Sequence, residues 1–422
     1  GFLRGEGSQA VQILPPLSWV GVIGTGALLG RYAGGWRLAG LVAGCLAFVL
    51  VFGQWQSAMV TLASILVAVP LGVAGGLLLG VLAFRHPWFE RAIRPVLDLM
   101  QTIPVFAYLV PILILFGFGP TAAVVATLIY AMPPMTRITE LALRRVPSEL
   151  TDLGQMVGCT RRQMMWRVMI PSSKDALMVG VNQVIMLSLN MVIIASMIGA
   201  GGLGFDVLAA LRRLDFGAGL EAGFAIVALA VALDRLSQAF AHLRPEPAAG
   251  TGLAARHPYL ISGLALILGA GIAGAAVPAL QTWPEALELS TGTFWSGVVE
   301  WINVNFFDTI EAVKNAVLLN LLVPFKRFLG GLPWAGVTVV LAWAGWRLGG
   351  WRLAVLVAAL AFLIAATDQW EKAAITVYLC GISTLFAMLI GIPVGILSAE
   401  REGVWTPVRV IMKSPRRDRS PQ

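Results

Sequence analysis

Long apolar runs alternate along this chain with short loops rich in arginine. A helix needs roughly 17–25 apolar residues to cross the hydrocarbon layer, and candidate windows fall at 17–31, 36–53, 58–84, 95–118, 119–136, 173–200, 218–240, 259–278, 332–346, 351–367 and 373–398. The pattern predicts about eleven spans and an all-α, polytopic membrane protein, since helices satisfy their own backbone polar groups in lipid. Between these windows, Trp301–Phe328 mixes apolar residues with Asp308, Glu311, Lys314 and Lys326, the pattern of an interfacial amphipathic helix.

Arginine placement sets the orientation. The stretch Arg137–Arg167 carries Arg137, Arg144, Arg145, Arg161, Arg162 and Arg167, which places it in the cytoplasm. Counting outward puts Arg85–Arg94, Arg31 with Arg37, the linker 242–258 and Arg347 with Arg352 on the same side. Gly53–Ser57 and Asp368–Lys372 then lie outside. Arg212 and Arg213 also fall outside, where Asp206 and Asp215 are expected to neutralise them.

The pattern repeats. Gly34-Gly35-Trp36-Arg37-Leu38 recurs as Gly349-Gly350-Trp351-Arg352-Leu353, a displacement of 315 positions. The same displacement carries Trp19 to Trp334, Gln54-Trp55 to Gln369-Trp370, Thr61 to Thr376, Gly76 and Gly80 to Gly391 and Gly395, and Arg94 to Arg409. One register held through loops and helices is the mark of duplication. The predicted organisation is leading spans at 1–53, a first core at 54–240, a cytoplasmic linker at 241–258, a second lead with an extracytoplasmic segment at 259–368, a shortened second core at 369–412 and a polar tail at 413–422. Gly1 is expected to sit inside a larger unit. The tail reads as a truncation or as a basic segment near anionic lipid.

Composition agrees with a lipid solvent: 58% of residues are hydrophobic and 12% charged, against about 25% charged in soluble domains, and mean hydropathy is +0.82. The net charge of +8 is spread over loops and forms no stripe, so no nucleic-acid partner is expected. Cys45, Cys159 and Cys380 lie far apart, as do His86, His242 and His257, and no metal site follows. Gly199-Ala200-Gly201-Gly202-Leu203-Gly204 has GxGxxG spacing but ends an apolar helix instead of following a strand. It reads as an extracytoplasmic hinge or a close helix approach, with Gly201, Gly202 and Gly204 as gate residues. No GxxxxGK[ST] occurs, so this chain has no P-loop for ATP.

Two segments carry candidate chemistry. Val146–Pro171 reads as a short helix, a turn at Gly158 and a second short helix capped by Thr160, with Pro171 breaking the chain before the next span. On pattern alone it is either a solvated connector or a docking element for a soluble motor. In 173–200, Gln183, Asn190 and Met197 share one face, and Asn182, Leu189 and Ser196 an adjacent one. Mid-membrane amides either pair between helices or line a path for a small zwitterion or quaternary amine. Glu221 and Asp98 sit near span ends, Asp98 within reach of an ion pair with Arg94.

Gly158 and Pro171, thirteen apart, with Val168 and Ile170 before the proline, resemble the "EAA" coupling loop of binding-protein-dependent ATP-binding-cassette permeases; Asp152-Leu153-Gly154 stands in place of Glu-Ala-Ala. Leu97–Pro111, Gly180–Gln183, Asn190–Ile198 and Gly201–Gly204 resemble the glycine betaine/proline/choline branch, in a tandem form similar to importers of osmolytes such as trimethylamine N-oxide. The resemblance implies a type I importer fold in a bacterial inner (plasma) membrane. It implies a coupling role for 146–171 through Asp152, Gly158, Arg161, Arg162, Val168 and Pro171. It also implies a translocation pathway at Met100, Gln101, Thr102, Pro104, Asn182, Gln183, Asn190 and Met197. The chain itself would be no enzyme and hold no cofactor. ATP and Mg would belong to a partner ATPase dimer, an extracytoplasmic binding protein would deliver the osmolyte, and two such permeases would pair as a homodimer. The rival readings are an ion-driven secondary transporter or channel, and an inactive truncated permease.

Overall fold

Gly34 and Gly35 turn the first long helix back on itself. Helix α1 covers Trp19–Val51, but Gly34 (φ −148°, ψ 15°) and Gly35 (φ 77°, ψ −167°) leave helical geometry, and the positive φ at Gly35 is one that glycine adopts without a Cβ penalty. A Cβ at Gly30 would lie 3.0 Å from Ala39 Cα, and one at Gly26 3.0 Å from the Leu46 side chain. The two halves therefore pack antiparallel, as the separate windows 17–31 and 36–53 anticipate. The structure is a computed structural model and describes residues 3–4, 11–12, 18–196, 201–242, 258–281, 283–284 and 287–400. Met197, linker residues 243–257 and everything from 401 onward, including Arg409 and the polar tail, lie outside the described residues.

A short antiparallel pair, β1 (Leu3–Arg4) and β2 (Val11–Gln12), precedes α1. After it come α2 (Trp55–Arg85), α3 (Pro87–Thr102), α4 (Val105–Phe116) and α5 (Pro120–Arg144). At 31 residues, α2 is about 46 Å long, ample for a bilayer. The predicted span 95–118 is not one helix: α3 and α4 meet at a bend of 102°. The cause is Pro104, which has no N–H and pushes Ile103 to φ −68°, ψ 129°. Glu90, Arg91, Arg94 and Asp98 all fall in α3, while α4 is uniformly apolar.

Next come α6 (Ser148–Met156), α7 (Arg161–Gln163), a π-helical stretch Met164–Met169, α8 (Ile170–Ser172), α9 (Lys174–Ser196), α10 (Leu203–Arg213) and α11 (Phe216–His242). Then follow α12 (Pro258–Ala276), a 3-10 turn Pro278–Leu280, α13 (Gly292–Asn305), α14 (Phe307–Val317), a π turn Leu318–Leu322, α15 (Val323–Gly330), α16 (Trp334–Ala366) and α17 (Trp370–Glu400). The amphipathic stretch 301–328 is helical, with Phe306, Phe307, Ile310 and Val313 exposed.

Among the described residues, five helices are long and apolar enough to cross a membrane, or six with the bent pair α3–α4. About eleven windows were expected. Part of the difference is that α1 and α16 each contain two of those windows. Another part is α5, whose last turns carry Arg137, Glu140 and Arg144.

The chain divides into two compact units, Gly1–Trp301 and Ile302–Gln422. In the first, α2, α5 and α9 pack around Ala131, Met135, Leu177 and Val184, while α1, α2, α10 and α11 share Val42, Leu46, Val49, Ala58, Leu203, Ala225 and Leu229. The α2–α5 seam is the tightest. A Cβ at Gly76 would sit 2.6 Å from Met135 Cβ, and one at Gly80 2.5 Å from Thr139 Cβ and 2.7 Å from the Thr136 carbonyl. Small residues at such a seam let two backbones approach where no hydrophobic force against lipid drives them together.

The second unit repeats the first two helices in length and register. Both α1 and α16 have 33 residues, and α2 and α17 both have 31. Gly350, at φ 76°, stands for Gly35, and a Cβ at Gly345 would meet Ala354 Cα at 3.3 Å, as Gly30 meets Ala39. Even the connecting turn matches: Gly53 (φ 68°) corresponds to Asp368 (φ 56°). Its N–H bonds correspond too, Gly53 to Leu50 O and Asp368 to Ala365 O. Within the second unit, Gly391 and Gly395 meet nothing within 4 Å.

Candidate functional site

The element 146–171 is built from two helix-end motifs. Gly158, at φ 80°, closes α6; its N–H donates to Gln155 O (2.9 Å) and the Cys159 N–H to Gly154 O (2.9 Å). These two bonds form a Schellman motif, which satisfies the last carbonyls of a helix and favours glycine at the left-handed position. Two residues on, Thr160 caps α7. The Gln163 N–H donates to Thr160 Oγ1 (3.3 Å) and the Thr160 N–H to Gln163 Oε1 (2.9 Å), a complete capping box. Removing a cap hydroxyl costs about 0.5–2 kcal/mol. Thr160→Ala is therefore expected to speed amide exchange across 161–167 while leaving α5 protected, as hydrogen-exchange mass spectrometry would show.

Four anchors seat this element. Met165 and Met169 of the π-helical stretch are buried with Val81 of α2 and Leu143 of α5. A Cβ at Gly154 would meet Met164 Cε at 2.6 Å, so α6 lies flat against the same stretch, and Val168 flanks that contact. The Arg85 guanidinium at the end of α2 donates to Arg161 O (3.3 Å). The Ser173 hydroxyl donates to Met169 O (2.8 Å) and to Ala142 O of α5 (3.4 Å). Pro171 is not the breakpoint that its sequence suggests. It lies inside α8, and the break before α9 comes at Ser173, whose N–H bonds back to both Met169 O and Ile170 O.

What remains exposed is an apolar patch of Leu153, Met156, Val157 and Trp166 beside the exposed Arg161, Arg162 and Arg167, with Asp152 and Gly158 at its edge. The structure thus brings Asp152, Gly158, Arg161, Arg162 and Val168 into one element. The sequence did not single out the methionines or Arg85 that fasten it to the bundle.

Carboxylates and guanidinium groups brace the adjoining helix ends. Glu90 accepts from Arg94 (3.0 Å) and Arg144 (2.5 Å), and Arg144 also donates to Glu140 (3.0 Å). Its bond to Glu140, with the nearby Glu90 charge, raises the Arg144 pKa above its ordinary value. Asp98 pairs with Arg137 of α5, whereas Arg94 takes Glu90 on its own helix, so the expected Arg94–Asp98 pair does not form. Arg212 and Arg213 form no ion pair with Asp206 or Asp215 among the described residues. They lie in the last turn of α10, where positive charge favours the helix dipole, and Asp215 accepts from the Ala218 N–H (3.0 Å).

On α9 the two faces separate as the spacing suggests. Gln183 and Asn190 are exposed, and Leu189 is buried. Asn182 is half-buried, and its Oδ1 has no hydrogen-bond partner. At the α3–α4 bend, Gln101, Thr102 and Pro104 are exposed and Met100 is half-buried; the Thr102 hydroxyl donates to Asp98 O (2.9 Å). Val105 and Tyr108, just past the bend, pack with Met191 and Ile194 of α9. The bend therefore lies close to the polar face of α9. Gly201 and Gly202 have φ of 69° and 81°. Gly202 is clamped: a Cβ there would lie 2.5 Å from Thr61 Oγ1, which accepts the Leu203 N–H (3.0 Å). Gly204 is buried in the first turn of α10. Gly202 thus makes a close helix approach, while Gly199 and Ala200 lie outside the described residues.

Residues 72–243 match the family described as binding-protein-dependent transport system inner membrane component. The trimethylamine N-oxide transport system permease protein TmoV of Ruegeria pomeroyi is 38% identical over 398 residues, covering 92% of this chain and 59% of its own length. The glycine betaine/proline betaine transport system permease protein ProW of Escherichia coli is 45% identical over 48% of this chain and 59% of its own. The osmoprotectant import permease protein OsmW of Salmonella typhimurium is 33% identical over 40% of this chain and 81% of its own. This chain thus spans about three-fifths of the length of the first two.

Proposed function

We propose that this chain, which belongs to the binding-protein-dependent transport system inner membrane components, is the permease subunit of an ATP-driven importer of methylated-amine osmolytes. The observation that carries this reading is the rigidly seated, outwardly bare element 146–171. A connector needs neither a Schellman turn, a capping box nor buried methionine anchors, whereas a lever that receives force must not deform. Its apolar centre flanked by arginines suits a cleft on a soluble ATPase. With no P-loop in this chain, hydrolysis belongs to that partner.

The substrate class is supported by the TmoV likeness, which runs along nearly the whole chain, and by the chemistry of α9. Gln183 and Asn190 present neutral amides. These contact a zwitterion or an amine oxide without the tight grip a fixed carboxylate would exert on its cation. Mid-membrane amides need water or a protein partner, so this face is covered by a second permease core, from another copy or a partner chain. An extracytoplasmic binding protein supplies affinity through aromatic contacts to the methylated cation.

In proteoliposomes holding the protein with its ATPase and binding protein, trimethylamine N-oxide and glycine betaine are expected to compete for one ATP-dependent uptake route. Uptake that persists without the ATPase and follows an ion gradient would establish an ion-driven transporter instead.

A further inference from the structure

Residues 279–280 and 288–291, ahead of α13, meet three helix ends of the first unit, both ends of α1 and the start of α11. The Ser18 hydroxyl donates to Leu280 O, and Trp19 Nε1 to Ala279 O (3.0 Å), with the Trp19 and Trp283 rings edge to face at 5.2 Å. The Leu289 N–H donates to Val51 O (2.8 Å) at the end of α1. The last anchor is Glu221 of α11, which is 8% exposed. Its Oε1 accepts from the Thr291 N–H, from Thr291 Oγ1 (3.0 Å) and from Ser290 Oγ (3.4 Å).

This junction is reciprocal. Thr291 is the residue before α13, and its carbonyl accepts the Trp295 N–H (3.0 Å), so Glu221 places a carboxylate at the start of that helix. In return, Ser296 Oγ of α13 accepts the Gly217 N–H (3.2 Å) in the first turn of α11, where no intrahelical acceptor exists. Each helix supplies an acceptor for a backbone N–H at the start of the other, beside the Asp215 cap that α11 already has. Gly217 lies so close to the Gly292 carbonyl that a Cβ there would overlap it, and further along the same junction the Phe224 and Trp295 rings lie 5.4 Å apart, tilted by 53°. Glu221 has no cationic partner among the described residues. A buried carboxylate in that position depends on its hydrogen bonds, and all three come from this strap.

We propose that Glu221 is a positioning residue that locks the strap 287–296 onto α11 and so braces the outer gate. Glu288 of the strap lies beside Gly53 in the turn before α2, at the end opposite Arg85 and the element 146–171. Residues 214–215 join α11 to α10, and α10 begins at the Gly202–Thr61 clamp. Holding the first turn of α11 therefore fixes the α10–α11 corner that frames the end of α9. The role in transport rests on the importer reading, while the lock is a property of the fold.

The test has two arms. In the first, hydrogen exchange is measured on the protein in lipid nanodiscs. Glu221→Leu is expected to raise exchange across 289–296 at least tenfold with α5 unchanged, while Glu221→Gln, which keeps the accepting oxygen, stays within about threefold of the parent. Ser296→Ala, which buries no unpaired charge, should raise exchange at 217–219. In the second, uptake by Glu221→Leu should lose most of its maximal rate at unchanged KM and be restored in Glu221→Gln. Exchange across 289–296 that ignores Glu221→Leu overturns the lock. An opened strap with unchanged uptake overturns its role in transport. Absence of uptake in the parent itself would speak against the importer reading and leave the exchange result standing.

Discussion

Gly80→Val is expected to abolish accumulation of folded protein in the membrane. The position a Cβ would take lies 2.5 Å from Thr139 Cβ and 2.7 Å from the Thr136 carbonyl oxygen. The second of these is backbone of α5 and cannot swing aside as a side chain would. Two further methyl groups would force α2 and α5 apart along a seam that also holds Gly76 against Met135, a residue whose other side faces Gly180 of α9, where a Cβ would lie 2.6 Å from the sulfur. Overpacking a core typically costs about 1–3 kcal/mol, more where backbone must move, and in a bilayer no hydrophobic gain against lipid compensates for lost close packing. The duplicated register supplies the control. Gly395 occupies the same position in α17 with nothing within 4 Å, so Gly395→Val is expected to leave yield and melting temperature near those of the parent. Fluorescence-detected size exclusion and thermal melting in detergent would read both variants.

The second large effect lies at Gly158. Its φ of 80° is left-handed, which costs a residue with a Cβ about 1–2 kcal/mol. Aspartate tolerates this region better than most residues, so Gly158→Asp should still insert and fold. It nevertheless adds a negative charge beside the exposed Arg161 and Arg162 and puts a side chain at the edge of the Leu153–Met156–Val157 patch. Wild-type levels in the membrane are expected, with ATP-dependent uptake reduced at least tenfold and the ATPase no longer co-purifying. Loss of the protein itself would place the defect in folding and remove the support this variant gives to docking.

How much of this was legible in the sequence depends on the range of the interactions. The Thr160 cap and the Gly158 turn follow from local rules, and the structure has them at the residues named. The duplication was legible because one displacement preserves loop residues as well as helices. The bend at Pro104 was marked by its Ile-Pro step, but uniform hydropathy on both sides carried one window across it. The partner of Asp98 was misassigned because Arg94 is a neighbour in sequence and Arg137 only in space. The lock at Glu221 joins residues 70 positions apart, and no periodicity reports such a pairing. The same holds for Met165 and Met169, which the sequence pattern does not single out and which anchor the element 146–171.

The central claim is that 146–171 transmits the work of a separate ATPase to a permease. The most direct test is uptake of labelled trimethylamine N-oxide into proteoliposomes, with each of three components omitted in turn: this protein, its ATPase and its binding protein. Uptake that requires all three and ATP, and that Gly158→Asp reduces at least tenfold at equal protein incorporation, is the expected result. Uptake that proceeds without the ATPase, or that is unaffected by Gly158→Asp, would contradict the account.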